Sequence, residues 1–194
     1  MSYDDVRTGD VAAVVTFLEM REKTAHQEVP ASPLSLKRIE NPQPDAYRTL
    51  FRQIGSPWLW FSRLVMNDAA LAAIIQHPDV HLYAVVDEAG REVGMLELDF
   101  RESGEGELSF VGLIPELSGQ GHGRWLLAEA VGLAWRETVV RVHVHTCTLD
   151  HPAALSAYRR AGFVPYRRAI EHFPDPRLIG LLPRDCAPQV PLIG

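Results

Sequence analysis

The stretch Leu113–Leu127, LIPELSGQGHGRWLL, places three glycines between a short apolar strand and an apolar helical pattern. Glycine has no Cβ, so the backbone N–H groups of Gly119–Gly123 can converge on a ligand. The first turn of the following helix adds unpaired N–H groups and the positive end of the helix dipole. A strand, a glycine turn and a helix in this order predict an anion site, although a purely structural turn also uses glycine.

The segments around this turn predict a mixed α/β fold. Three strands with apolar alternation precede the turn and should pair antiparallel, and the strand after the crossover helix should run parallel to the third of them. The predicted strands are Val11–Met20, Ser35–Ile39, Val80–Val86, Glu92–Phe100, Glu107–Ile114, Val139–Thr148 and Phe163–Phe173, and the predicted helices are Ala46–Ile54, Ala69–Gln76, Gly121–Trp135 and Ala153–Arg160. A Walker lysine is absent, so a P-loop is excluded.

The N-terminal third carries weaker signals. Val11–Met20 is predicted to be a buried strand, with a helix as the second choice because periodicity cannot separate the two. Asp45 is predicted to cap the next helix. Trp58, Trp60 and Phe61 form the most aromatic piece of the chain. Such residues most often pack in a core, and lining a pocket is the alternative.

Composition and charge exclude several partners. The formal charge is −6, and the basic residues are scattered arginines that form no stripe along which a nucleic acid could bind. No apolar run is long enough to span a membrane, and the polar N-terminus does not resemble a signal peptide. Two cysteines do not make a disulfide framework, so a reducing cytoplasm is the expected compartment. We expect no nucleic-acid or membrane partner, and a homodimer remains open.

Two segments resemble the GNAT N-acetyltransferases. Val111–Leu127, VGLIPELSGQGHGRWLL, is similar to the family's acetyl-CoA motif, Q/R-x-x-G-x-G/A after a strand that ends in an apolar-x-Pro sequence. Leu149–Phe163, LDHPAALSAYRRAGF, resembles the closing segment, in which a polar residue, a helix, a Tyr and Gly-Phe follow the fifth strand. The resemblance implies a GNAT-type acyl-CoA N-acyltransferase fold, with a central mixed, mostly antiparallel sheet that contains a parallel splayed pair and is flanked by helices.

The resemblance also implies a cofactor site for acetyl-CoA as co-substrate. The strand backbone at Val111 and Leu113 would pair with the pantetheine arm, and the turn's amides would hold the pyrophosphate. The implied pyrophosphate-binding residues are Gly119, Gln120, Gly121, His122, Gly123 and Arg124. The sequence departs from the motif at Ser118, where Gln or Arg is usual, and at His151, which stands at the position of the family's Asn.

Two catalytic residues are implied by position. Tyr158 matches the tyrosine that returns a proton to the leaving thiolate, and a packing role is the alternative. Glu107 matches a catalytic glutamate of some protein-acetylating members, and a solvated edge position is the alternative. Glu97 and Asp99, on the neighbouring strand, are the reserve bases.

His143, His145 and Cys147 alternate along one predicted strand and so share one of its faces. With Asp150 and His151 just beyond, they form a ligand set that zinc accepts, and a metal-dependent enzyme is an alternative hypothesis. Alternate side chains diverge by about 6–7 Å along a strand, so one face rarely supplies three ligands to one ion. We therefore predict no metal and expect His145 or Thr148 to line the acyl channel instead.

The sequence thus predicts a single acetyltransferase domain over residues 1–194. Residues 1–79 would form a segment on the substrate side, residues 80–173 the acetyl-CoA-binding core, and residues 174–194 a Pro-rich tail that wraps the surface. The predicted reaction moves an acetyl group from acetyl-CoA to a primary amine of a small molecule or peptide, by direct transfer in a ternary complex. A non-catalytic acyl-CoA-binding or interaction module is the alternative.

Overall fold

A computed structural model describes residues 3–23 and 29–194. Its seven strands are β1 (Asp10–Met20), β2 (Ser35–Arg38), β3 (Val80–Val86), β4 (Glu92–Asp99), β5 (Glu105–Leu113), β6 (Arg141–Cys147) and β7 (Val164–Pro174). They form one sheet in the order β2-β3-β4-β5-β6-β1-β7. The β5–β6 pair is parallel and the other neighbouring pairs are antiparallel. The prediction of a mixed, mostly antiparallel sheet with one parallel pair is confirmed.

Helices cover both faces of this sheet. They are α1 (Pro44–Gly55), α2 (Asp68–Ile75), α3 (His122–Ala134) and α4 (Ala154–Arg160). On one face, Leu126 and Ala130 of α3 pack in a core with Leu96 of β4. On the other face, Phe51 of α1 packs in a second core with Met95, the neighbour of Leu96 in the same strand. The strict alternation of a strand places Met95 and Leu96 in different cores.

β1 lies between β6 and β7 and pairs antiparallel with both. The predicted strand is therefore correct, and the helical alternative is wrong. Leu18 and Met20 are buried in the core beneath α3, whereas Val11 belongs to the core beneath α1 and α2. The N-terminal segment consequently forms the part of the sheet that connects β7 to β6.

The caps of α1 and α2 differ from each other. Asp45 does not cap α1: the N-cap is Gln43, without a side-chain bond, and Pro44 occupies the start of the helix. The ring of a proline fixes φ near the helical value and removes an N–H that is unpaired in the first turn anyway, so the helix begins two residues earlier than predicted. At α2 the predicted cap is present, because the Asn67 side chain accepts from the Ala70 amide at 2.9 Å.

The C-terminal tail is anchored by one buried arginine. Arg177 pairs with Asp175 at 2.7 Å, and its guanidinium also donates to the carbonyl oxygens of Cys186, Ala187 and Val190. The tail therefore does more than wrap the surface, since it folds around a desolvated ion pair. Among the residues described, no helix is both long and apolar enough to cross a bilayer.

Candidate active site

The two parallel strands separate partway along their length. The β5–β6 ladder consists of the pairs Glu105↔Arg141, Gly106↔Val142 and Glu107↔His143. On its other side, β5 stays paired with β4 as far as Gly94↔Leu113. The C-terminal half of β5 therefore presents backbone N–H and C=O groups that are not paired with β6.

A cavity of about 1,440 Å³ opens where the strands diverge, which exceeds the volume of an ordinary drug-sized pocket. Val111 and Leu113 line it. Because unpaired strand edges bind extended amide-containing ligands by main-chain hydrogen bonds, this edge fits the amide groups of a pantetheine arm.

The glycine turn borders the same cavity. Gly119 and Gly121 have φ values of +77° and +86°, in the left-handed region that side chains disfavour, and the space beside both is open. Gly121 is also the N-cap of α3, so no side chain accepts hydrogen bonds from the first-turn amides. Gly123 and Arg124, in that first turn, line the cavity as well. The turn and helix end thus combine backbone donors, a positive dipole end and a cation, which together suit a diphosphate.

Two of the predicted cofactor-binding side chains point elsewhere. The Gln120 amide donates to the carbonyl of Glu116 at 2.8 Å, and Nδ1 of His122 lies 3.2 Å from Oγ of Ser32. Neither Gln120 nor His122 is among the residues lining the cavity. The contribution of these two positions to an anion site is therefore restricted to their backbone amides.

Ser118 and His151 meet across the mouth of the cavity. Oγ of Ser118 lies 3.2 Å from Nε2 of His151, and the His151 ring packs edge-on against Trp58 with centroids 5.2 Å apart. Both Ser118 and His151 line the cavity, the former after β5 and the latter after β6. The two departures from the family motif thus contact each other.

Tyr158 lies on α4 and lines the cavity from the side of the crossover helices. Its ring packs edge-on against Phe163, with centroids 5.8 Å apart. Burial, together with the negative charge of Asp150, raises the pKa of the Tyr158 hydroxyl above its ordinary value. The phenol therefore remains protonated at physiological pH and can act as a proton donor.

Glu107 and His145 stand together at the point where the strands separate. Oε1 of Glu107 lies 3.5 Å from Nδ1 of His145, and both side chains line the cavity. The interaction with His145 lowers the pKa of Glu107, and the interaction with Glu107 raises the pKa of His145. Glu107 is consequently ionised at neutral pH, as a group that attracts a proton from the cavity must be.

The two reserve carboxylates are already engaged. Glu97 is fully buried, where it accepts from Tyr47 Oη at 2.5 Å and from Arg63 Nη2 at 2.6 Å. The prediction of Glu97 as a reserve base is therefore wrong, because a ligand cannot reach its carboxylate. Asp99 lines the cavity but is paired with Arg101 at 2.6 Å, and hydrogen bonds from Arg101 outweigh burial and lower its pKa.

The predicted aromatic segment lines the same cavity. Trp58, Trp60 and Phe61 all line the cavity, and Trp60 and Phe61 also pack against the core beneath α1 and α2. The core prediction and the pocket alternative therefore both hold for Trp60 and Phe61. Trp60 Nε1 donates to Oδ1 of Asp150 at 3.1 Å, and Oδ2 of Asp150 accepts from Thr146 Oγ1 at 2.7 Å. Sequence reasoning missed the hydrogen bond between Trp60 and Asp150 because these residues are far apart in the chain and share no motif.

The metal hypothesis finds no support in the residue geometry. Across residues 3–23 and 29–194, no group of three His, Cys, Asp or Glu side chains is arranged to hold an ion. His143 faces Glu105 at 3.3 Å, whereas His145 faces Glu107. Burial raises the pKa of the Cys147 thiol to about 11, so it stays protonated and is poorly suited to be a ligand or a nucleophile.

Comparison with known proteins agrees with this geometry. Residues 43–163 match the acetyltransferase (GNAT) family over more than half of the chain. The protein therefore belongs to this family, and hence to the acyltransferase class. No curated protein is detectably similar in sequence.

Solved structures share the fold at low sequence identity. A GCN5-related N-acetyltransferase from Sphaerobacter thermophilus is 19% identical, with a TM-score of 0.62 over 86% of this chain and 52% of its own. A putative GNAT acetyltransferase from Novosphingobium aromaticivorans is 16% identical, with a TM-score of 0.53 over 84% and 65%. An aminoglycoside acetyltransferase from an uncultured soil sample is 16% identical, with a TM-score of 0.53 over 67% and 88%. The chain thus spans only about half to two thirds of the length of the first two.

Proposed function

We propose that this protein transfers an acetyl group from acetyl-CoA to a primary amine, directly within a ternary complex. The observation that carries the proposal is the gap between β5 and β6, which runs from Glu107 to the glycine turn. An unpaired strand edge and a helix N-terminus follow one another along a single cavity wall. Their order matches a ligand that has amide groups in its middle and a diphosphate at one end.

The cofactor would be held mainly by backbone. The main chain of Val111 and Leu113 would bond the pantetheine amides, and the amides of Gly119–Gly123 would bond the pyrophosphate. The Arg124 amide already donates to the Gly121 carbonyl at 3.1 Å, so the predicted backbone role of Arg124 is left out. The guanidinium of Arg124 adds positive charge at the same end, and His151 borders the mouth. When bound, acetyl-CoA supplies an activated thioester.

Acid and base groups would lie on different walls. Tyr158 would donate its proton to the sulfur of the leaving group, since its pKa is raised and it enters the reaction protonated. The amine's proton would depart on the side of Glu107, whose negative charge favours its removal. An acyl-enzyme on Cys147 is not part of the proposal because the thiol is held in its unreactive, protonated form.

The acceptor amine would enter along the aromatic wall. Trp58, Trp60 and Phe61 line the cavity, and they belong to the segment that precedes the glycine turn in the chain. Trp60 packs against Phe110 of β5, with ring centroids 5.2 Å apart. Arg63 beside them is neutralised by Glu97, so this wall is mainly apolar in character. A small-molecule or peptide amine with an apolar body fits such a surface.

The test combines binding, turnover and amide exchange. Calorimetry with coenzyme A and acetyl-CoA measures binding, and thiol release with a panel of primary amines measures transfer. Hydrogen exchange should slow at Val111, Leu113 and Gly119–Gly123 on adding acetyl-CoA, while the hairpin turn Asp87–Gly90 serves as the internal control. Absence of binding rejects the proposal, and binding without turnover of any amine favours the non-catalytic module instead.

A further inference from the structure

We propose that His145 is the residue that takes the proton from the acceptor amine, and that Glu107 positions the imidazole instead of taking the proton itself. The inference rests on the proposed acetyltransferase function and assigns the base within that site. It divides a role that the family resemblance gives to the glutamate alone.

The placement of the two side chains follows from the sheet register. Glu107↔His143 is the last pair of the parallel ladder, and His145 lies two residues further along β6, on the same face as His143. His145 therefore occupies the first position of that face after the strands diverge. Its side chain is 49% exposed and that of Glu107 is 31% exposed, and both exposed surfaces border the cavity. The imidazole is the more accessible of the two groups.

The contact also fixes which nitrogen is free. Nδ1 of His145 faces the Glu107 carboxylate at 3.5 Å, so a proton on Nδ1 is favoured by the negative charge. In that tautomer Nε2 carries the lone pair and is the only basic atom of the neutral ring. A carboxylate that holds the Nδ1 proton also stabilises the imidazolium that forms when Nε2 is protonated.

The surrounding charges stabilise the protonated form of the His145 imidazole. Glu107 on β5 raises the pKa of His145 most strongly, burial opposes it, and Asp150 after β6 and Glu171 on β7 add to the increase. His143, the nearest titratable neighbour on β6, has a pKa that burial lowers, and the charge of His145 adds to that decrease. The pKa of Glu107 moves in the opposite direction, chiefly through His145, which makes the carboxylate the weaker base of the pair.

The atoms balance over one turnover. The amine nitrogen forms a C–N bond to the acetyl carbon while the C–S bond breaks, and one N–H proton moves to Nε2 of His145. Tyr158 gives its hydroxyl proton to the sulfur. The imidazolium then releases its proton and the tyrosinate recovers one, both through solvent in the open cavity, so that the products are an amide and a free thiol.

His143 provides a matched control for substitution. It shares the strand and the face with His145, but it contacts Glu105 at 3.3 Å and does not line the cavity. His145→Gln and His143→Gln therefore remove the same group from neighbouring positions, and only the first should affect proton removal. Glu107→Gln keeps the shape of the partner and removes its charge.

The experiment measures pH profiles of kcat/KM for the wild type and these three variants with one amine, so that the amine's own titration is common to all. We expect His145→Gln to lower kcat about 100-fold, as for loss of a general base. The substitution should also abolish the inflection on the acidic side of the kcat/KM profile that the enzyme itself causes. Glu107→Gln should retain that inflection but shift it to lower pH, since a charge that raises the His145 pKa has gone. His143→Gln should leave kcat within about twofold of the wild type, a change too small for a general base.

The opposite assignment predicts opposite shifts. If Glu107 takes the proton, Glu107→Gln abolishes the inflection and His145→Gln moves it to higher pH, which overturns the inference while leaving the transferase function intact. Titration of the His145 ring by NMR, without acetyl-CoA, is independent of turnover: its pKa should fall in Glu107→Gln, and an unchanged pKa overturns the inference. A wild type that acetylates no amine, by contrast, overturns the proposed function itself.

Discussion

Replacing Tyr158 with phenylalanine isolates one hydroxyl in the proposed mechanism. The ring packs edge-on against Phe163 with centroids 5.8 Å apart, a contact that phenylalanine keeps. The fold and the shape of the cavity should therefore be preserved. Only the proton that the hydroxyl would deliver to the leaving sulfur is lost.

The size of the effect follows from what can substitute for that proton. General acids typically contribute about 10²- to 10⁴-fold. The cavity is open to water, and a thiolate whose thiol has a pKa of about 8.5 is already a tolerable leaving group. We therefore expect kcat to fall by about 10- to 100-fold, or about 1.4–2.7 kcal/mol in activation free energy. The affinity for acetyl-CoA should change little, because the hydroxyl acts in the transition state and not in ground-state binding.

The pH dependence gives a second signature. Burial raises the pKa of Tyr158 above its ordinary value of 10, so the acid stays protonated throughout the neutral and mildly alkaline range. Its loss of a proton should consequently cause no fall in wild-type kcat between about pH 8 and pH 9.5, where an ordinary tyrosine is only beginning to ionise. An alkaline decline in this range that disappears in Tyr158→Phe would contradict the raised pKa.

Steady-state thiol release and calorimetric binding of acetyl-CoA provide the assay. Tyr166→Phe is the matched control, since Tyr166 is 47% exposed on β7 and is not among the cavity-lining residues. Unchanged kcat in Tyr158→Phe would remove Tyr158 from the mechanism. A fall in acetyl-CoA affinity as large as the fall in kcat would instead indicate a binding role.

Three further substitutions, the first with a matched control, test the turn, the thiol and the tail. Gly121→Ala, at φ +86°, should cost about 1 kcal/mol in backbone strain and weaken acetyl-CoA binding, whereas Gly90→Ala, at φ +79° in the hairpin turn, should cost similar stability without affecting binding. Equal affinities would exclude the turn from the cofactor site. Cys147→Ser should retain transfer, and mass spectrometry should find no acetyl adduct on wild-type Cys147, because a pKa of about 11 keeps the thiol protonated; a stoichiometric adduct would contradict direct transfer. Arg177→Met leaves the buried Asp175 carboxylate without its cation and should lower the free energy of unfolding in urea by about 3–5 kcal/mol. A loss below about 1 kcal/mol would mean that the ion pair behaves like a surface pair.

The sequence predicted the part of the molecule that local rules determine. Strand alternation gave β3 at Val80–Val86 without error, and the glycine turn with its helix followed from residues next to one another in the chain. The parallel pairing of β5 and β6 was also predictable, because a crossover helix between two strands dictates it. These features depend on periodicity and on backbone conformations that few residue types adopt.

Long-range pairings were beyond the same reasoning. The pattern of Val11–Met20 indicates which residues are buried but not that β1 inserts between β6 and β7. Likewise, no local signal connects Trp60 to Asp150, which lie 90 positions apart and yet share a hydrogen bond at the cavity. Partner choice in such cases is decided by tertiary packing, which a single sequence does not encode position by position.

One break in the sheet accounts for both halves of the candidate site. Because the β5–β6 ladder stops at Glu107↔His143, the edge of β5 beyond Glu107 becomes available to a cofactor, and the side chains of Glu107 and His145 line the cavity that opens there. Tyr158 lies on α4, the helix that follows β6. The proposed acid, Tyr158, is therefore carried by a helix, whereas the proposed base, His145, is carried by the sheet. Asp150 then holds the end of β6 in place through Thr146 and the Cys147 amide. A change that restored pairing between β5 and β6 beyond Glu107 would therefore close the cofactor gap and bury the base at the same time. We therefore expect the position of this break to affect activity more than any single side chain around it.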